Sequence, residues 1–145
     1  MSDRTETTPV HPDGTPVVAV GAVLVHDRRL LLVQRGRGVA VGAWSLPGGS
    51  VEHGELLEEA VRRELLEETG LEVRVTGLCG VAERVWDGHH FVILDYWCEV
   101  DHAEAVAADD AADLTWASRT DLSQLELVPQ LREFLAEHDV LGRLD

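Results

Sequence analysis

The sequence predicts an α/β sandwich, a mixed β-sheet held between helices. Three observations carry this. Val-rich or aromatic apolar runs at residues 17–25 and 90–100 suit buried strands. Residues 49–71 between them carry Leu57, Ala60, Val61 and Leu65 at helical spacing. A second helical pattern over 129–138 puts Leu131, Phe134 and Leu135 on one face.

Taken in order, residues 1–16 (MSDRTETTPVHPDGTP) read as a disordered leader, and 17–145 as a single domain. The first strand covers 17–25. His26-Asp27-Arg28-Arg29 turns the chain, and 30–35 (LLLVQR) returns as a hairpin. A glycine-rich loop at 36–42 leads to a short extended piece at 44–47, then Gly48-Gly49. The long helix follows, and Gly70 stops it as a left-handed cap. Residues 72–85 read as two short strands broken near Gly77 and Gly80. Asp87-Gly88 marks a turn. The strand at 90–100 is apolar on both faces, so a central place is expected. Residues 101–113 read as a loop, 114–117 as a last short strand, and 129–138 as the closing helix.

Composition narrows the function. Hydrophobic residues make up 45% of the 145, which is globular rather than disordered. The formal charge is −15, with 12 Arg and no Lys. That charge argues against a nucleic acid polymer or an anionic membrane as partner. A small phosphorylated ligand remains open, if divalent cations supply the missing positive charge. Cys79 and Cys98 sit in apolar runs without metal-site spacing and read as buried thiols. A signal peptide and a membrane-length apolar run are both missing, so a cytoplasmic protein is expected. Oligomeric state is open, a homodimer included.

Seven glutamates crowd residues 49–71. A helix turns ~100° per residue. With Glu64 at zero, Leu57, Val61 and Glu68 fall within roughly 60° on one side, and Ala60 and Glu67 within roughly 60° on the other. Glu64, Glu67 and Glu68 therefore extend the apolar stripe, while Glu58, Glu59 and Arg62 face water. Three inward carboxylates near a helix C-terminus repel one another and oppose the helix dipole. Arg63, one turn before Glu67, is one partner. A hard divalent cation with oxygen ligands would supply the remaining compensation.

The same stretch resembles the signature of the Nudix hydrolases, G-x5-E-x7-R-E-U-x-E-E-x-G-U with U bulky and apolar. Gly49, Glu55, Arg63, Glu64, Leu65, Glu67, Glu68, Gly70 and Leu71 fill every position. The seven fixed letters together would arise by chance on the order of once in 10⁸ start sites. Looser similarity runs over about 17–137 and includes WSLPGG and the DLTW strand. The resemblance implies an α/β/α sandwich with a loop–helix–loop site, and hydrolysis of a nucleoside diphosphate linked to another moiety with Mg²⁺ or Mn²⁺. It implies Glu64 and Glu68 as metal ligands and Glu67 as a ligand or immediate support. It also implies the Gly48 carbonyl in the metal sphere, Arg63 orienting the carboxylates, and Glu55 supporting the attacking water or the loop. The proton acceptor would be a box glutamate or an acid from a later loop, where Asp110 is best placed and Asp109 next. Leu56 stands where many members have a capping Ser or Thr, so the helix start is expected to rely on Ser50 or Glu55. His53 replaces a common Pro and reads as an ordinary loop residue.

Substrate choice lies outside the signature. GHHFVILDYWCEV resembles a strand of bacterial enzymes assigned to ADP-ribose, which favours ADP-ribose or a related nucleotide sugar. Cleavage of nucleoside triphosphates, oxidised ones included, is the alternative. A nucleotide sensor without catalysis is the alternative of another class. Arg35 and Arg37 could clamp the distal phosphate or ribose, with a surface place favoured for Arg37. Trp86 and Phe91 could stack on a base, and Trp44 is expected in the core.

Overall fold

The computed structural model describes residues 11, 13–38, 40–86 and 88–145, with the side chain of Trp86 excepted. Most of the expected leader at 1–16, the Asp87 half of the expected turn, and the expected stacking role of the Trp86 side chain therefore lie outside the described residues.

Among the described residues, seven strands form one mixed sheet. β1 (Val17–His26) and β2 (Arg29–Arg35) make the hairpin. Its two turn residues, Asp27 and Arg28, both have positive φ, 51° and 62°, as the twist of a tight hairpin requires. β3 (Trp44–Ser45) pairs with β2, and β4 (Gly48–Ser50) pairs with β1. β5 (Arg74–Trp86) and β6 (His89–Glu99) form a long antiparallel pair, and β7 (Ala111–Ala117) lies against β2. β6 is central as expected. It runs parallel to β1 on one side and antiparallel to β5 on the other.

The helices lie on both faces. α1 (Leu57–Thr69) packs Ala60, Val61 and Leu65 against Val20, Ala22, Leu24, Tyr96 and Cys98. α2 (Arg119–Gln124) and α3 (Leu131–Glu137) cover the opposite face, where Leu122, Leu131, Phe134 and Leu135 meet Val23, Leu30, Leu32 and Ala82. Both faces of β1 and β6 are thus buried, and this is why their sequences are apolar without clean alternation.

Several details depart from the sequence reading. β5 is one 13-residue strand, not two. Gly77 and Gly80 mark register shifts, so the extra residues bulge and pairing with β6 continues. α2 has no counterpart in the reading, because six residues give too short a period to detect. Its start is nonetheless a reciprocal cap between Ser118 and Asp121. β7 begins at Ala111 rather than 114.

α1 is capped differently from expectation. Neither Ser50 nor Glu55 caps it. Glu59 Oε1 accepts the Leu56 N–H at 2.9 Å, the return half of a capping box whose other half a leucine cannot supply. Gly70 ends the helix at φ 74°, and its N–H reaches the Leu66 carbonyl at 3.0 Å. Cys79 and Cys98 are free, and burial pushes their thiols up to about 11 and about 12, as suits inert thiols. No helix among the described residues is long and apolar enough to cross a membrane.

Candidate active site

The sheet opens to make the site. β1 and β2 pair only at Val25↔Leu30 and His26↔Arg29, then diverge. Along the gap β1 takes β4 as its neighbour and β2 takes β3 and β7. A cavity of about 360 Å³ lies there, within the range of small-molecule sites. It is lined by Gly48, Gly49, Arg63, Glu64 and Glu68 on one side and Arg35, Arg37 and Asp110 on another.

The helix presents its glutamates as the periodicity requires. Glu64 and Glu68 are 1% and 5% exposed, and Glu67 is half-buried. Glu58, Glu59 and Arg62 are exposed. Glu64 packs against β4 so closely that a Cβ on Gly49 would meet its carboxylate at 2.5 Å. Any side chain there would displace the carboxylate, which explains the glycine.

Arg63 organises the cluster. Its Nε donates to Glu55 Oε2 at 2.6 Å and Nη2 to Glu55 Oε1 at 2.9 Å, a two-pronged pair. Nη1 donates to Glu64 Oε2 at 3.0 Å and Glu67 Oε1 at 3.2 Å, and Nη2 also reaches the Ser50 carbonyl at 3.1 Å. One guanidinium thus ties three carboxylates and the strand before the helix together. Its own pKa rises, first through the hydrogen bond to Glu55.

Glu68 stands apart from that network. Its Oε1 accepts the Gly48 N–H at 2.9 Å. Burial pushes its carboxyl up to about 8, and the nearby charge of Glu64 adds to this. Two buried acids therefore share a site with too little positive charge. A divalent cation is the group that would let both ionise there, and carboxylate oxygens suit a hard one. Among the described residues no three His, Cys, Asp or Glu side chains converge as a closed metal cage. Glu64 and Glu67 are instead turned to Arg63, and Glu68 to Gly48. The donor set fits such a cation in chemistry, with the carboxylates held by hydrogen bonds that a cation would compete for.

The loop after β6 brings in the remaining acid. The Val106 and Ala108 N–H groups donate to the Thr69 and Glu68 carbonyls at 3.0 and 2.9 Å, satisfying the end of α1. The chain then delivers Asp110, whose carbonyl accepts the Gly36 N–H at 3.0 Å. Arg37 Nε lies 3.2 Å from Asp110 Oδ1, and Arg37 Nη2 donates to the Asp109 carbonyl at 3.2 Å. Arg37 is therefore half-buried in the site and not the surface residue expected. Arg35 ends β2 opposite a bulge in β7, where Ala112 is the extra residue between the partners of Gln34 and Arg35. Burial lowers its pKa, while Glu68 and Asp110 pull it back up, so all three share one electrostatic neighbourhood.

Of the remaining candidates, Phe91 lines the cavity and Trp44 packs into the core beside α3. His53 is exposed and away from the cavity. The sequence reading missed Asp95, a buried acid on β6 that also lines the cavity. A lone carboxylate in the run HFVILDYWC was the available signal.

Comparison with known proteins agrees with this fold. The family model described as NUDIX domain matches residues 15–138. The chain is 39% identical over 113 residues to a Methanocaldococcus jannaschii protein named ADP-ribose pyrophosphatase, covering 76% of this chain and 66%, just under two thirds, of that protein. It is 30% identical to the Escherichia coli protein named CTP pyrophosphohydrolase, over 83% of this chain and 92% of that one. The crystal structure of a MutT NUDIX hydrolase from Burkholderia pseudomallei superposes with a TM-score of 0.76 at 33% identity, covering 84% of this chain and 97% of that one. With a complete signature over residues 49–71, the expected α/β fold and these matches, the chain belongs to the NUDIX family of hydrolases.

Proposed function

We propose that this chain hydrolyses the diphosphate linkage of ADP-ribose or a related nucleotide sugar, with Mg²⁺ or Mn²⁺ as cofactor. The observation that carries the reading is the cavity itself. Two buried carboxylates, Glu64 and Glu68, share it with the cationic Arg35. The archaeal relative named ADP-ribose pyrophosphatase supports the choice of substrate.

Water attacks one phosphorus, the P–O–P bond breaks, and ADP-ribose plus water gives AMP and ribose 5-phosphate. A bound divalent cation would neutralise the diphosphate oxygens and acidify the attacking water. Glu64, Glu67, Glu68 and the Gly48 carbonyl would hold it. Arg63 keeps Glu55, Glu64 and Glu67 in place. Arg35 pairs with a diphosphate oxygen. Asp110 accepts the proton of the attacking water. Phe91 offers an aromatic wall for the base.

A second reading is cleavage of a nucleoside triphosphate to monophosphate and pyrophosphate, supported by the relative named CTP pyrophosphohydrolase. Product analysis separates the two. The panel is ADP-ribose, other nucleotide sugars, ATP, GTP, CTP and 8-oxo-dGTP, with Mg²⁺ or Mn²⁺ and an EDTA control. AMP from ADP-ribose supports the first reading. Pyrophosphate from a triphosphate supports the second. Metal-dependent nucleotide binding without product would defeat both and leave a sensor.

A further inference from the structure

Asp95 occupies a position that no packing argument explains. It sits on the central strand, 5% exposed, and among the described residues its side chain makes no hydrogen bond or ion pair. A buried acid left in this way costs stability, so a structural purpose would demand a partner. The residues paired beside it in the sheet are both glycines, Gly21 on β1 and Gly80 on β5, and the space over Gly80 is taken by the His138 imidazole. A Cβ on Gly21 would collide with the Asp95 carboxylate. Glycine at that position therefore leaves room for this carboxylate.

The same residue borders the cavity, on the side away from α1. There the walls are Phe91, Ile93, Leu131 and Phe134, all apolar, with Arg84 at the edge. Glu64 and Glu68 line another part of that cavity. One acid among apolar walls is a poor cation site, which needs several oxygen ligands. It is a good site for a flat heterocycle, whose faces pack on apolar side chains and whose polar edge needs one placed partner.

We propose that Asp95 is a specificity-determining residue that accepts a hydrogen bond from the exocyclic amino group of a nucleobase seated between Phe91, Ile93 and Phe134. This deepens the nucleotide reading above and rests on it. Burial holds the Asp95 carboxyl at about 7, against the opposing charge of Arg84, in keeping with a group that awaits a donor.

The test measures binding of uncleavable nucleoside 5′-monophosphates to the full chain in Mg²⁺ buffer by calorimetry. GMP is compared with IMP, and AMP with purine riboside 5′-monophosphate, each pair differing by one amino group. The wild type should bind the amino-bearing member of at least one pair tenfold or more tightly. Asp95→Ala should bring that preference below twofold, with a melting temperature no lower than the wild type. If Asp95→Ala does not fold, the isosteric Asp95→Asn must reduce the preference at least threefold. The assignment is overturned if the wild type shows no preference in either pair, or if the preference survives both substitutions. Because binding is read without turnover, its failure leaves the hydrolysis panel standing, and an inactive panel leaves this readout intact.

Discussion

Arg63 grips Glu55 across the N-cap residue Leu56 and about two turns of helix, with Nε–Oε2 at 2.6 Å and Nη2–Oε1 at 2.9 Å. Both partners are largely shielded from water. The remaining guanidinium nitrogen is then free to reach Glu64 and Glu67 together. A planar fork can do this and an ammonium cannot. Arg63→Lys should therefore lower kcat/KM at least 100-fold, close to the loss in Arg63→Ala. Arg63→Ala should also cost about 2–4 kcal/mol in chemical denaturation, since it strands three acids. A lysine variant with near wild-type turnover would refute the fork argument.

The contact between Gly49 and Glu64 makes a second prediction. With the added Cβ 2.5 Å from the carboxylate, Gly49→Ala must move Glu64 or bend β4. The expected result is a loss of more than 100-fold in turnover with a stability change of only about 1–3 kcal/mol. Equal loss of both would mean that the glycine serves the strand and not the acid.

Glu68→Gln tests the proposed ligand directly. The amide keeps the shape and the Gly48 N–H contact but removes the charge. Most Mg²⁺-dependent turnover should vanish while the circular dichroism spectrum and melting temperature stay at or above wild type. Activity close to wild type would exclude Glu68 as a needed metal ligand.

The helix cap supplies a control far from the chemistry. Glu59 is exposed, and among the described residues its carboxylate holds only the Leu56 N–H. Glu59→Ala should cost about 0.5–1 kcal/mol in a denaturant titration. Its kcat and KM should not change. A kinetic effect would show that the start of α1 is coupled to the site.

Asp95 should leave a signature in stability against pH. Its folded pKa, about 7, lies above the ordinary 3.8 because burial disfavours the charge, with Arg84 opposing and the Cys79 thiol in the same field. Between those two values the folded state holds more protons than the unfolded state. Stability must then fall as pH rises from about 4 to about 7, and the contribution is fully lost above that. In EDTA, Asp95→Asn should flatten this part of the melting profile relative to wild type. Superimposable profiles would show that Asp95 ionises freely.

By itself, the sequence determined the sandwich, the long helix and the faces its glutamates take. Helical and strand periodicities are local, and Glu64 and Glu68 fall on the apolar stripe whatever the rest of the chain does. The signature spacing likewise placed Glu55 and Arg63 in one cluster, because eight residues of loop and helix keep them within reach. Only the tertiary structure decided the rest of the site. Asp110 is recruited because the end of α1 needs donors for its last carbonyls, and the loop after β6 supplies them. Arg37 is held inward by that same acid, and Asp95 meets the cavity because β6 runs beside β1 and sets Asp95 opposite Gly21, where β1 and β2 have parted. These contacts join residues tens of positions apart, and no local period encodes which distant backbone will come alongside.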